Sequence, residues 1–388
     1  MSFRVMRLSA LAVAMSTALS VYNVYGLTEK QKLDLRNSII NYESVLKIPE
    51  SSITAEELNE FLSNLDTYNL SSVKIEGVKN NVLYLSPKYF ETPEEMRKVN
   101  RFASLVAAES KGVSDKEKVY YIVQRVGSVL KYASNIHDNL KVFSPTAIET
   151  GEGVCQAYAR LTKIILEKAG IKTQFITGGF AGVNHLWIAV QVDGNWYGVD
   201  PTSADLDDGK IDFSYVLMNY QDMKNKGYSI KKTPMITNKD TSGLFRGKGL
   251  YSIKDRKIYE LYNGNLLTTN FLNNFDVSTV ESNVDNFYMV GGTPVVKVGE
   301  SLKTLKGLNL IGNASQDVTC DGVSLKSGNS ILYYDTPLSN EYRRLVETDF
   351  KVVISKEKDK YTVEYDEATG VTNIYYNDEF LLQVSKFY

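Results

Sequence analysis

The chain has 388 residues, a formal net charge of −2 and an ordinary balance of hydrophobic (43%) and charged (23%) side chains. That balance gives no global electrostatic reason for a nucleic acid or an anionic membrane as partner, and the length is enough for two or three domains with cores of their own. Two cysteines and two histidines in all exclude a disulfide framework, and neither histidine has a ligand-spaced cysteine near it.

Arg4 and Arg7 precede an uncharged apolar run from Leu8 to about Val21. This is the build of a secretory signal peptide over residues 1–26, with cleavage expected after Gly26. The run is shorter than the roughly 20 apolar residues that span a bilayer. With neither a hydrophobic tail nor a sorting signal in Val384-Ser385-Lys386-Phe387-Tyr388, a secreted protein without a permanent membrane anchor is expected.

Residues 27–91 read as a helical and hairpin lead-in. Thr28-Glu29-Lys30-Gln31 and Thr54-Ala55-Glu56-Glu57 match the capping box, in which a hydroxyl and a later acid or amide satisfy free amides at a helix start. They predict two short helices separated near Pro49, followed by a hairpin from Ser71 to Leu85 around Lys79-Asn80-Asn81. Residues 92–220 read as the main domain. Thr92-Pro93 and Ser114 open two further helices, the second with Val119, Ile122, Val123, Val126, Val129 and Leu130 at helical spacing. Gly151-Glu152-Gly153 breaks structure, after which Val154, Ala157, Tyr158, Leu161, Ile165 and Ala169 predict a mostly buried helix stopped by Gly170. A strand from Ile171 to Thr177 and a loop containing Gly178, Gly179 and Gly182 then lead to His185. The polar stretch 221–249 reads as a linker or surface excursion. Residues 250–388 alternate short β-type runs with Asn263-Gly264, Asp321-Gly322 and Thr369-Gly370 turns, which predicts an all-β module rich in the chain's 26 tyrosines.

Cys155 falls in the first turn of its helix. A helix N-terminus favours a thiolate, and its free amides can receive the oxyanion formed when an acyl carbon is attacked. Downstream, Asp193-Gly194 is a two-residue turn signal that fixes a hairpin register. Val192 then faces Asn195, Val190 faces Tyr197, Ile188 faces Val199, and His185 and Asp200 become diagonal neighbours on one face. A one-residue slip would separate them. Taken singly, each has a bland reading: a structural cysteine, a satisfied histidine, an aspartate capping the turn before Pro201. Together they supply a nucleophile, a base and its orienting carboxylate. Trp187 is expected in the core more readily than as a cleft wall, Cys320 as a structural or loop thiol, and His137 on a surface loop.

Gly153-Val154-Cys155-Gln156-Ala157-Tyr158-Ala159, Asn184-His185-Leu186-Trp187 and Gly194-Asn195-Trp196-Tyr197-Gly198-Val199-Asp200-Pro201-Thr202 resemble the three blocks of the transglutaminase-like superfamily, in order and in spacing, over about Thr92 to Asp205. Many exported proteins of Gram-positive bacteria are similar in their arrangement of leader, helical lead-in and such a domain. The resemblance implies an α+β fold with a papain-like core, in which a cysteine-bearing helix packs on an antiparallel sheet, here followed by the all-β module. It also implies Cys155 as nucleophile, His185 as general base and acid, and Asp200 as its partner, acting on glutamine carboxamides or peptide bonds of a protein or peptide substrate, with no cofactor and any calcium need left open. Secreted members often read His-Ala-Trp-Asn where this chain has His185-Leu186-Trp187-Ile188, which bears on substrate preference. The alternative is a non-catalytic surface scaffold whose β module binds a cell-wall component.

Overall fold

The structure is a computed structural model. It describes residues 27–333 apart from short stretches, the longest being 63–68 and 135–139, together with strands 361–366, 371–376 and 379–385. The leader expected at 1–26, His137 and the Thr369-Gly370 turn lie outside the described residues. Among the described residues no helix is long and apolar enough to cross a membrane.

The lead-in holds α1 (Glu29–Ile40), β1 (Leu46–Pro49), β2 (Leu70–Lys79) and β3 (Val82–Tyr89). Thr28 and Gln31 close the expected capping box, and Thr54 Oγ1 accepts from the Glu57 amide at 3.1 Å. The break near Pro49 is itself a strand, β1, paired with β3, because Leu46 and Ile48 alternate inward onto a small core with Leu35, Ile39, Leu83 and Leu85.

The central body begins with α2 (Pro93–Glu109) and α3 (Asp115–Val129), each opened by a capping box. Two-residue strands β4 (Lys131–Tyr132) and β5 (Glu152–Gly153) pair in parallel and lead into α4 (Cys155–Lys168), which ends where Gly170 takes φ +86°. Next come β6 (Thr173–Phe180), β7 (Val183–Val192), β8 (Asn195–Val199), the single turn α5 (Pro201–Ala204), β9 (Ile211–Asp212), α6 (Tyr220–Asn225) and β10 (Ser229–Lys232). Asp193 and Gly194 both have positive φ at the β7–β8 turn, and the expected register holds: Val192 faces Asn195, Val190 faces Tyr197 and Ile188 faces Val199. Their apolar members, Val192, Val190, Ile188, Tyr197 and Val199, share one core with Leu161 and Ile165 of α4, each fully buried aliphatic side chain contributing about 1.5–3 kcal/mol before chain entropy is set against it.

Two sequence expectations need correction here. Gly178 and Gly179 are not in a loop but in β6, which runs on to Phe180 and turns at Ala181-Gly182. They are glycines because β10 lies against them: a Cβ on Gly178 would collide with the Ser229 carbonyl and stand 2.9 Å from the Trp187 ring. The stretch 221–249 is not a linker either. Its strand β10 is the edge of the sheet β10-β6-β7-β8, and Met223, Tyr228 and Ile236 cover the sheet's second face with Trp187 and Ala189.

The β-rich part continues through β11 (Lys248–Ser252), β12 (Lys257–Tyr262), β13 (Asn265–Asn270) and β14 (Asn273–Ser282), which form a five-stranded sheet with β9. Because β9 precedes residue 221, that sheet straddles the expected boundary at 249/250. Its apolar face shares one core with the helices: Tyr120 of α3 stacks on Phe213 and meets Phe271 edge-on. Further four-stranded and six-stranded antiparallel sheets follow, so the fold is α+β with additional β sheets.

Candidate active site

Cys155 is the first residue of α4, preceded by an N-cap, Val154, whose side chain offers no capping hydrogen bond. The helix start thus directs its free amides, that of Cys155 among them, toward whatever lies beside the sulfur. The chain can turn tightly there because residue 153 is glycine: a Cβ would sit 2.8 Å from that of Ala157. The thiol is half-buried and unbridged, as is that of Cys320.

His185 comes from β7, opposite Gly178 of β6. Its Nε2 lies 2.7 Å from Asp200 Oδ2, and the Cys155 side chain is near enough to help raise the imidazole. With Nε2 engaged by the carboxylate, Nδ1 is the nitrogen left for the sulfur. The ring lies nearly parallel to Trp187 at 5.6 Å between centroids, with Phe180 5.7 Å away. Trp187 is fully buried, so it serves as core and as backing for the imidazole at once.

Asp200 is fully buried yet satisfied on both oxygens. Oδ1 accepts from the amides of Thr202 (3.1 Å) and Ser203 (3.2 Å), capping α5, while Oδ2 accepts from Ser203 Oγ (2.7 Å) and Tyr228 Oη (2.6 Å) besides facing His185. Asp200 thus caps α5 with one oxygen and faces His185 with the other.

Burial opposes charge on His185, but the hydrogen bond and charge of Asp200, then those of Cys155, outweigh it and raise the imidazole to about 10. Burial likewise opposes charge on Asp200, and the contacts with His185, Tyr228 and Ser203 hold the carboxyl below its usual range. The favoured resting form is a protonated ring between two acidic partners. Tyr132, half-exposed on β4, is raised by partial burial and by the charge of Cys155.

The structure brings Cys155, His185 and Asp200 together. Sequence reasoning missed Tyr228, Ser203 and Phe180. Ser203 carried a signal in its place three residues after an N-cap aspartate; Tyr228, in a polar stretch with no periodicity, carried none. Cys320 stands apart on a strand (Val318–Cys320), donating to the Met289 carbonyl at 3.3 Å, with burial pushing its thiol up to about 12. Among the described residues no group of three His, Cys, Asp or Glu side chains is placed to hold a metal ion.

Residues 103–201 match the sequence model of the Transglutaminase-like superfamily, a span that contains all three residues. This segment is a transglutaminase-like domain. Members of that superfamily are often cysteine peptidases or acyltransferases. Among solved structures, the chain is similar to a TGase at 14% identity, with a TM-score of 0.27 over 47% of this chain and 50% of that one, so the match spans half the length of that protein. It is also similar to a candidate cysteine protease from Cytophaga hutchinsonii, at 14% identity and a TM-score of 0.25 over 56% of this chain and 81% of that one. A third, a candidate protease from Parabacteroides distasonis, has 14% identity and a TM-score of 0.19 over 35% and 40%. A search of curated proteins found no match.

Proposed function

We propose that the protein is an exported thiol acyl-transfer enzyme acting on glutamine carboxamides or peptide bonds of a protein or peptide. The observation that carries this reading is the imidazole of His185, held by Asp200 on Nε2 at 2.7 Å and raised in addition by the neighbouring Cys155 side chain. With the thiol proton of Cys155 already resting on the ring, the sulfur bonds to the carbonyl carbon, and the oxyanion is received by the amides that open α4. When the C–N bond breaks, the imidazolium returns the proton to the departing ammonia or amine, leaving a thioester. Water or a second amine, deprotonated by the same ring, then displaces the sulfur. Water gives deamidation or proteolysis, and an amine gives cross-linking. Export rests on the charged and apolar pattern of residues 1–26, and cell-wall association is the destination we infer for a protein with this leader and a tyrosine-rich β region.

The test is incubation with a glutamine-containing peptide and a fluorescent primary amine at about pH 8, comparing wild type with Cys155→Ala. Wild type is expected to give the amine adduct or the hydrolysed peptide, and Cys155→Ala neither. Product formed equally by both would contradict the assignment.

A further inference from the structure

Three donors converge on a single oxygen, Asp200 Oδ2: His185 Nε2 at 2.7 Å, Ser203 Oγ at 2.7 Å and Tyr228 Oη at 2.6 Å. Ser203 belongs to the helix that Asp200 itself caps. Tyr228 is delivered from elsewhere, immediately before β10, whose backbone is seated against Gly178 and Gly179 on the strand that pairs with the His185 strand. Its ring stacks on Phe180 at 4.2 Å and 12°, and leans on Trp187 at 5.0 Å. Packing on both rings, not solvent, therefore sets where the hydroxyl points.

A carboxylate oxygen offers about two lone-pair sites, so a third donor competes for charge that would otherwise face the imidazole. The charged and titratable groups around this oxygen are few: His185 with Cys155 beyond it, Tyr228, and Tyr215, which feels both Asp200 and Asp212. Lys226 lies outside these, with Nζ 3.9 Å from the Tyr215 ring centroid. Tyr228 is thus the one phenol with a direct bond to the carboxylate among these groups.

We propose that Tyr228 is a positioning residue: its hydroxyl fixes the Asp200 carboxylate toward His185 and draws off part of the charge that this carboxylate presents to the ring. As a role in catalysis this rests on the reading of Cys155, His185 and Asp200 as a triad. Burial, then the charge of Asp200, holds the phenol far above its ordinary value, so it stays a donor through the working pH range. Without it, the imidazolium keeps its proton more tightly and returns it to the leaving amine more slowly.

Tyr228→Phe removes the hydroxyl and keeps the stacked ring. In a Cys155→Ala background, where no neighbouring thiol titrates with the ring, NMR of isotope-labelled histidine reads the His185 titration directly. Only two histidines are present, and His137→Gln assigns the signals. The His185 midpoint is expected to rise by about half a pH unit in Tyr228→Phe. With Cys155 intact, kcat falls several-fold and KM is unchanged. Ser203→Ala, which frees the same oxygen of its other hydroxyl, is expected to move the midpoint the same way and decides the matter if Tyr228→Phe does not fold. A midpoint that stays or falls, or an unchanged kcat in an enzyme shown to turn over, overturns the proposal. Absence of turnover in wild type overturns the functional reading instead and leaves the NMR result to decide whether the hydroxyl is coupled to the ring.

Discussion

The imidazole of His185 is the residue on which the site turns, because it is hydrogen-bonded to Asp200 and raised by Cys155 as well. Its raised value has a stability consequence with a definite sign. A group whose folded-state value is raised stabilises the fold fully below its ordinary value and loses that contribution as pH climbs through the folded one. For His185 the window runs from 6.5 to about 10. Denaturant unfolding of wild type and His185→Gln across that window is expected to show wild type losing stability relative to the variant, and a constant difference would show that the ring gains nothing from its partners. Asp200 works in the opposite sense: its contribution is present above the ordinary 3.8 and is lost as pH falls through its lowered value. The pairing of His185 with Asp200 was legible in sequence because one turn, Asp193-Gly194, fixes the register of everything between them. Tyr228 was not, because a side-chain hydrogen bond formed across 28 residues leaves no trace in periodicity.

Among the elements, β10 shows best what sequence reasoning loses. Helices here announce themselves with capping boxes and apolar spacing, and the boxes at Thr28, Thr54, Thr92 and Ser114 all form. A four-residue edge strand of Ser, Ile and two Lys announces nothing, since half of its ladder faces solvent. Its partner's glycines misled in turn: two glycines suggested a loop, whereas the structure uses them to let a neighbouring backbone approach. Gly178→Ala tests this. The new methyl would displace Ser229, and we expect a loss of about 1–3 kcal/mol in stability together with faster amide exchange in 229–232. Unchanged exchange there would mean that β10 does not depend on the close approach.

For the whole molecule, the sequence showed the order of helical and β-rich regions but not how they share their cores. A boundary at 249/250 follows naturally from composition, yet a single core runs from Val99 to Val296. Gln124 of α3 bonds both the amide and the carbonyl of Tyr251, while Glu117 holds Tyr251 and Arg256. The lead-in keeps a small core of its own but is tied to the cysteine helix by a buried pair, Arg160 reaching both oxygens of Glu91 at 3.1 and 2.5 Å. Glu91 also accepts from Tyr42 and from Ser144, whose turn precedes β5 and Cys155. Such contacts join residues far apart in sequence, and neither composition nor spacing encodes them. They make the helix that begins at Cys155 a place where three parts of the chain meet.

The pairing proposed for Cys155 and His185 is most directly tested by the chemistry of the sulfur itself. Iodoacetamide alkylation at about neutral pH, resolved by peptide mass spectrometry, separates Cys155 from Cys320 in one experiment. Replacing His185 by Gln is expected to slow modification of Cys155 about tenfold or more while leaving Cys320 unaffected. Equal rates at Cys155 with and without the imidazole would contradict the account.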